Sequence, residues 1–316
     1  MSEPLAEFYD VACEGAYVRT LASAVESGLF GGLPGEPPRS LIVVAAGAIA
    51  RAAAQAAVQV LSPLPFPVVV VPTLPEYIGV LDVLIVLGEA REQDRWHAVR
   101  EATRRGVPTV LVDAPGAVTE EAPDETMILP VPTGATGWGS PARALSAVVA
   151  VAELMSAGDG FVVDRLLEAA ERVDEELTRL SPERDEDANR ARQLRNLCAS
   201  HSIVHSGHPA IASLVQGVWS ARGIASAAVE RQECAAILQR QPSRDLFFDP
   251  FVDEQPPVLP SKVVLWGASP TESEARVGSY REEEPAGISA GPFSDALILS
   301  TRGLAATVYP VTTEDL

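Results

Sequence analysis

"LDVLIVLGEAREQDRWHAVREA", residues 81–102, begins as a strand and ends as a helix. Val83, Leu84, Ile85, Val86 and Leu87 form an unbroken apolar run, mostly branched, which reads as a strand buried in a sheet. Trp96, Val99 and Ala102 then recur at helical spacing. A strand feeding a helix is the unit of an open α/β sheet, and such sheets bind ligands where strands end and helices begin. A helix start suits a phosphate there, because its free N–H groups and its dipole attract anions. This turn nevertheless reads "GEAREQD", with Glu89, Glu92 and Asp94 and no Ser or Thr. It is either a phosphate-binding turn that has been lost or an ordinary solvated helix start, where acidic residues are favourable.

The same alternation continues on both sides. Residues 4–30 read as one amphipathic helix, with Phe8, Ala12, Leu21, Val25 and Leu29 on one face, and "GGLPGEPPR" stops it. "SLIVVAAG" (40–47) is a buried strand and "AIARAAAQAAVQVL" (48–61) an alanine-rich helix. "FPVVVVPTLP", "VPTVLVDAPG" and "ETMILPVPTG" are further strands, and "SPARALSAVVAVAELM" (140–155) is a helix. Strands and helices at this spacing imply βαβ units and a parallel sheet. Residues 161–198 are helical with an acidic break at "SPERDEDAN", which marks a boundary near residues 155–185. Beyond it, "SIVHSG" and "SKVVLWG" read as strands, "PAIASLVQGVWSARGIASAA" and "FSDALILSTRGLAATV" as helices. "QRQPSRDLFFDPFVDEQPPVLP" and "GASPTESEARVGSYREEEPAGISAGP" read as loops.

Composition limits the function classes. Of 316 residues, 47% are apolar, enough for a sizeable core. A net charge of −19 argues against nucleic acid and anionic membranes as partners, since both want a basic patch. The apolar runs are of strand length, short of the roughly 20 residues a membrane helix needs. The N-terminus "MSEPLAEFYD" lacks the basic and apolar segments of a signal peptide. Cys13, Cys198 and Cys234 are odd in number and far apart, which fits a reducing cytoplasm and no disulfide framework. His201, His205 and His208 have no neighbouring carboxylate or cysteine cluster, so no metal site is expected.

The order of elements resembles the two-SIS-domain sugar isomerases, in particular the bifunctional phosphoglucose/phosphomannose isomerases. Three stretches carry the resemblance over nearly the whole chain: "PTLPEYIGVLDVLIVLG", "ILPVPTGATGWGSPARALSAVVAVAELM" and "ANRARQLRNLCASHSIVHSGHPAIA". The resemblance implies an α/β fold of two SIS-like domains, with flavodoxin-like parallel sheets flanked by helices. It places an N-terminal domain over residues 1–157, and a helical bridge with a second, smaller domain over 158–316. It also implies a sugar phosphate as ligand, no cofactor, and a homodimer, since the family builds its site from two subunits. The apolar helices at 4–30 and 292–309 need cover and point the same way.

The family's site can be sought residue by residue. Its Gly-Gly-Ser phosphate turn corresponds to Ala46, Gly47 and Ala48, small enough but without the serine. Its second, hydroxyl-rich phosphate loop corresponds to the turn at Gly88, where Glu89 would repel a phosphate and Arg91 would compensate in part. Arg143 matches the family's arginine that meets a sugar oxygen or phosphate; it also reads as an ordinary first-turn arginine. The family's "E-N-A-K" base falls on Arg222 by an ungapped count, or on Glu233 in "ECAA" if the register slides. Its ring-opening histidine has no counterpart, because no histidine follows Glu233. Three functions stay open: a sugar-phosphate-binding protein with isomerase chemistry weak or lost, an active isomerase using Glu233, or an interaction module without a ligand site.

Overall fold

The computed structural model describes residues 3–240 and 259–311. Two leading helices, α1 (Glu3–Ala12) and α2 (Glu14–Glu26), precede β1 (Ser40–Ala46), α3 (Ala48–Leu61), β2 (Val68–Val71), β3 (Asp82–Gly88), α4 (Glu92–Arg104), β4 (Thr109–Val112), α5 (Ala117–Glu120), β5 (Met127–Ile128) and α6 (Pro141–Leu154). The long α7 (Asp159–Arg179) and a 3-10 turn (Glu186–Ala188) lead to α8 (Arg190–Ser200), β6 (Ser202–Gly207), α9 (Pro209–Ala221), β7 (Ser226–Ala228) and α10 (Arg231–Gln239). The chain then forms β8 (Ser261–Trp266), α11 (Glu272–Val277), β9 (Tyr280–Glu283) and α12 (Pro292–Ala306).

The strands form two parallel sheets, ordered β2-β1-β3-β4-β5 and β7-β6-β8-β9. The first has the flavodoxin-like order, which reverses between β1 and β3, and the crevice beyond the carboxyl ends there is the expected ligand position. β1 and β3 are in register from Ser40↔Asp82 to Ala46↔Gly88. Asp82 fixes that register: buried, it accepts from Ser40 Oγ at 2.7 Å and from Gly79 N–H at 2.9 Å, and it pairs with Arg39.

Helices between the two sheets share one hydrophobic core that includes Leu41, Ile85, Trp219 and Trp266. α3 lies against the first sheet, α6 and α9, and its Ala50, Ala52, Ala53, Ala54, Ala56 and Ala57 are buried. Small side chains on several faces let three neighbours approach at once, which explains its alanine content. A Cβ on Gly217 of α9 would stand 2.6 Å from that of Ala52, so the α3–α9 approach depends on a glycine.

Several sequence expectations change. The helix over 4–30 is two helices: Cys13 N–H bonds to Asp10 O rather than continuing the helical pattern, and Ala12 is exposed. The chain itself covers its apolar helices, since α12 is buried from Phe293 to Ala306 except at Asp295, and α2 packs on α6 and α7. The helix begun at Pro209 ends at Ala221, and residues 226–228 are the edge strand β7. The stretch 267–292 holds α11 and β9, and most of 239–260 lies outside the described residues.

Candidate functional site

A cleft opens where β1, β3 and β4 end, at the reversal of the first sheet. Two adjoining chambers of about 90 and 320 Å³ share Ile49, Glu89, Trp138, Gly139, Ser140 and Ala221 as walls. Gly47, Ala48 and Gly88 line the first chamber. Asp10, Glu14, Tyr17 and Arg222 line the second.

Gly47 has φ +86°, a conformation suited to glycine, and a Cβ there would meet nothing within 4 Å. It precedes α3 without supplying a side-chain cap, so the helix presents backbone N–H groups at the cleft. Gly88 also has positive φ, but for another reason: a Cβ there would strike Ala46 O and Ala50 Cβ, so it serves the strand–helix approach. Glu89 follows and forms part of both chambers' walls. Arg91 does not offset it; the side chain is exposed and paired with Asp94 at 2.8 Å, outside the cleft walls.

Arg143 borders the first chamber; its two Nη groups are engaged with backbone, while its Nε is buried without a hydrogen bond. It donates to Gly137 O at 3.0 Å, Leu129 O at 2.7 Å and Pro130 O at 3.4 Å. Burial pulls its pKa down to about 10, with Tyr17 and Asp113 opposing, so it remains charged at neutral pH. It fixes the loop 129–139 against α6, and with that loop Trp138, whose ring faces the Arg95 guanidinium at 5.1 Å. Tyr17 supports the same loop by accepting from Gly137 N–H at 2.9 Å.

Arg222, at the end of α9, is exposed and makes no side-chain hydrogen bond or ion pair among the described residues. Glu233 stands elsewhere. It lies in the first turn of α10, accepts from Glu230 N–H at 3.2 Å in a capping box, and lines neither chamber. Arg222, Gly47, Ala48 and Gly88 are therefore brought to one cleft, with Arg143 as its scaffold, while Glu233 and Arg91 are not. The histidines do not converge either. His205 is fully buried, edge-on to Trp219 at 4.6 Å, and accepts from Trp266 Nε1 at 2.9 Å. Burial drops its pKa to about 3, so it is neutral. His201 contacts Ser200 Oγ, and no group of three or more potential metal ligands occurs among the described residues.

Glu14 is the cleft residue that the sequence reading overlooked. It is 1% exposed, accepts from Ala142 N–H at 2.8 Å and caps the start of α6 from α2. Burial raises its pKa to about 7 against the lowering effects of Ser140, Ala142 and Arg222. The sequence does carry a signal for it: Val11, Glu14, Val18, Leu21 and Val25 fall at core spacing, with one carboxylate in an otherwise apolar stripe.

No protein-family model and no curated protein matches the sequence. Solved structures do match the fold. A candidate phosphosugar isomerase from Clostridium difficile 630 aligns over 98% of this chain and 96% of its own, with 12% identity and TM-score 0.60. A glucosamine-6-phosphate deaminase from Thermotoga maritima aligns over 97% and 93%, with 12% identity and TM-score 0.57. A glucose-6-phosphate isomerase-like protein from Thermus thermophilus aligns over 98% and 92%, with 19% identity and TM-score 0.50. The chain thus has the fold of these proteins along nearly its whole length.

Proposed function

We propose that this chain binds a sugar phosphate or a closely related carbohydrate derivative in the cleft at the ends of β1 and β3, and that its aldose–ketose isomerase chemistry is weak or lost. One observation carries the reading: an uncapped α3 start and the Arg222 guanidinium, which has no hydrogen bond or ion pair among the described residues, open on the same cleft. Backbone N–H groups at a helix start and a guanidinium are both good phosphate partners. The named activities of the structural neighbours, all on phosphorylated sugars, agree with it. The weak chemistry is inferred from Glu233, committed to capping α10, and from the lack of any histidine in the cleft walls.

A second reading, retained isomerase activity, is favoured by Glu14. A buried carboxyl with a pKa near 7 at the cleft is suited to take and return a proton. The two readings separate in one experiment. Calorimetry and thermal shift with glucose 6-phosphate, fructose 6-phosphate and mannose 6-phosphate test binding, since a ligand at about 100 times its Kd stabilises the folded state by roughly 2.7 kcal/mol. Binding weakened by Arg222→Ala, with negligible turnover in a coupled assay, is expected. No stabilisation by any of the three would overturn the proposal. Robust turnover lost in Glu14→Gln but kept in Glu233→Gln would establish the second reading. The proposal includes a homodimer, supported by the resemblance alone, and a monomer in sedimentation at micromolar concentration would remove that part.

A further inference from the structure

A second, larger cavity of about 770 Å³ lies away from the strand-end cleft and shares no wall with it. It lies between the end of α7, the segment 180–190, and β9 with the residues that follow it. Arg179, Arg184, Arg190, Arg281 and Arg302 all line it, in a chain whose net charge is −19.

The deep arginines are already matched. Arg302 is buried and donates to Glu176 at 2.6 Å and to Glu283 at 2.8 Å. Arg281 donates to Glu283 at 2.6 Å and to Gln193 at 2.9 Å. Two guanidinium groups thus balance two buried carboxylates, and the floor is fixed and neutral. The rim is different. Arg184 and Arg190 are exposed and have no side-chain hydrogen bond or ion pair among the described residues. Arg179 forms only long ion pairs, at 3.7 Å to Glu175 and to Glu176 Oε2, without hydrogen bonds. Arg190 is in the first turn of α8, which holds no acidic residue, and a cation is disfavoured at a helix start. The wall's other carboxylates reduce this charge without cancelling it. Glu282 and Glu284, which share the one proton of Ser269 Oγ at 3.1 and 3.0 Å, bring the wall to three glutamates against five arginines, and Glu183, Asp185 and Asp187 are not wall residues.

One carboxylate oxygen inside lacks a hydrogen bond: Glu176 Oε2 is buried, with the Arg179 guanidinium 3.7 Å away as an ion-pair partner. Buried acceptors are normally satisfied. Two rim guanidinium groups without a partner among the described residues, beside a third held only by long ion pairs, want a phosphate, and a carboxylate oxygen within that lacks a hydrogen bond wants a hydroxyl.

We propose that this cavity is a second binding site, for an organic phosphate that carries free hydroxyls. Its phosphate is held by Arg179, Arg184 and Arg190, and a hydroxyl donates to Glu176. Nucleotides and pentose phosphates share that chemistry, so both are probes. Calorimetry on the full chain with ADP, ribose 5-phosphate and inorganic pyrophosphate tests the site. Saturable binding of ADP or ribose 5-phosphate is expected, weaker by at least about tenfold in R184A/R190A, whose exposed positions spare the core. Binding unchanged in Arg222→Ala is also expected, which separates this site from the strand-end cleft. Failure of the wild type to bind either organic phosphate would overturn the proposal, as would full affinity in R184A/R190A. Loss in Arg222→Ala alone would assign the binding to the other cleft. Pyrophosphate binding as tightly as the organic phosphates would remove the role of Glu176.

Discussion

Glu89 puts a negative charge in the wall of the cleft proposed to receive a phosphate. Two charges about 4 Å apart repel by roughly 4 kcal/mol at an effective dielectric of 20, less at an exposed residue. Glu89→Ser should therefore tighten fructose 6-phosphate binding at least about tenfold by calorimetry, the residual after that screening. Unchanged affinity would place the phosphate away from Glu89. Arg143 belongs to the scaffold: Arg143→Ala strands three carbonyl contacts and should cost roughly 3 kcal/mol of stability in urea unfolding. Full stability with lost binding would instead make Arg143 a ligand group. Glu14 adds a pH dependence whose sign is fixed. Its folded pKa of about 7 lies above the ordinary carboxyl value of 4.5, so the folded state binds the proton more tightly. Stability is then complete below about pH 4.5 and falls through pH 7, by roughly 3 kcal/mol in total. Urea unfolding at pH 5 and pH 8 should show this loss in the wild type and not in Glu14→Gln.

At the level of elements, the contact between α3 and α9 joins the two halves. Gly217→Ala improves helix propensity by about 1 kcal/mol, yet its Cβ would press on Ala52 Cβ at 2.6 Å and Ala48 O at 3.0 Å. Overpacking of this kind costs about 1–3 kcal/mol, so the variant should melt lower than the wild type and shift Arg222 at the end of the same helix. A higher melting temperature would show that the helices separate easily. The sequence made the long elements legible because buried strands and amphipathic helices repeat their pattern over enough residues to stand out. β7, β9, α10 and α11 escaped it. They span three to nine residues, and the polar "YREE" of β9 hides one fully buried carboxylate, Glu283, that only the Arg281 and Arg302 pairings explain. Site residues followed the same division. Gly47 and Gly88 announce turns locally, whereas Glu14 and Arg222 reach one cleft only through the packing of α2, α6 and α9. The resemblance that suggested Glu233 had no means of showing its capping role.

At the scale of the whole molecule, the helices of the first sheet bury their faces on those of the second: α2 on α7, α3 on α9, α6 on α12. Residues 1–157 expressed alone would expose these faces, and should be aggregated or molten, with weak near-ultraviolet circular dichroism. A cooperative unfolding transition from that fragment would contradict this. The buried His205 with its two tryptophan neighbours has an optical consequence. Trp219 and Trp266 are sealed in the core, while Trp138 stands half-buried in the cleft wall over Arg95. The sealed pair should emit at short wavelength and report loss of the core, with neutral His205 leaving their emission constant across the physiological pH range. Trp138 should respond to occupancy of the cleft. A chain in which Trp96 is replaced by phenylalanine thus holds two built-in fluorophore classes, one reading folding and the other reading the ligand.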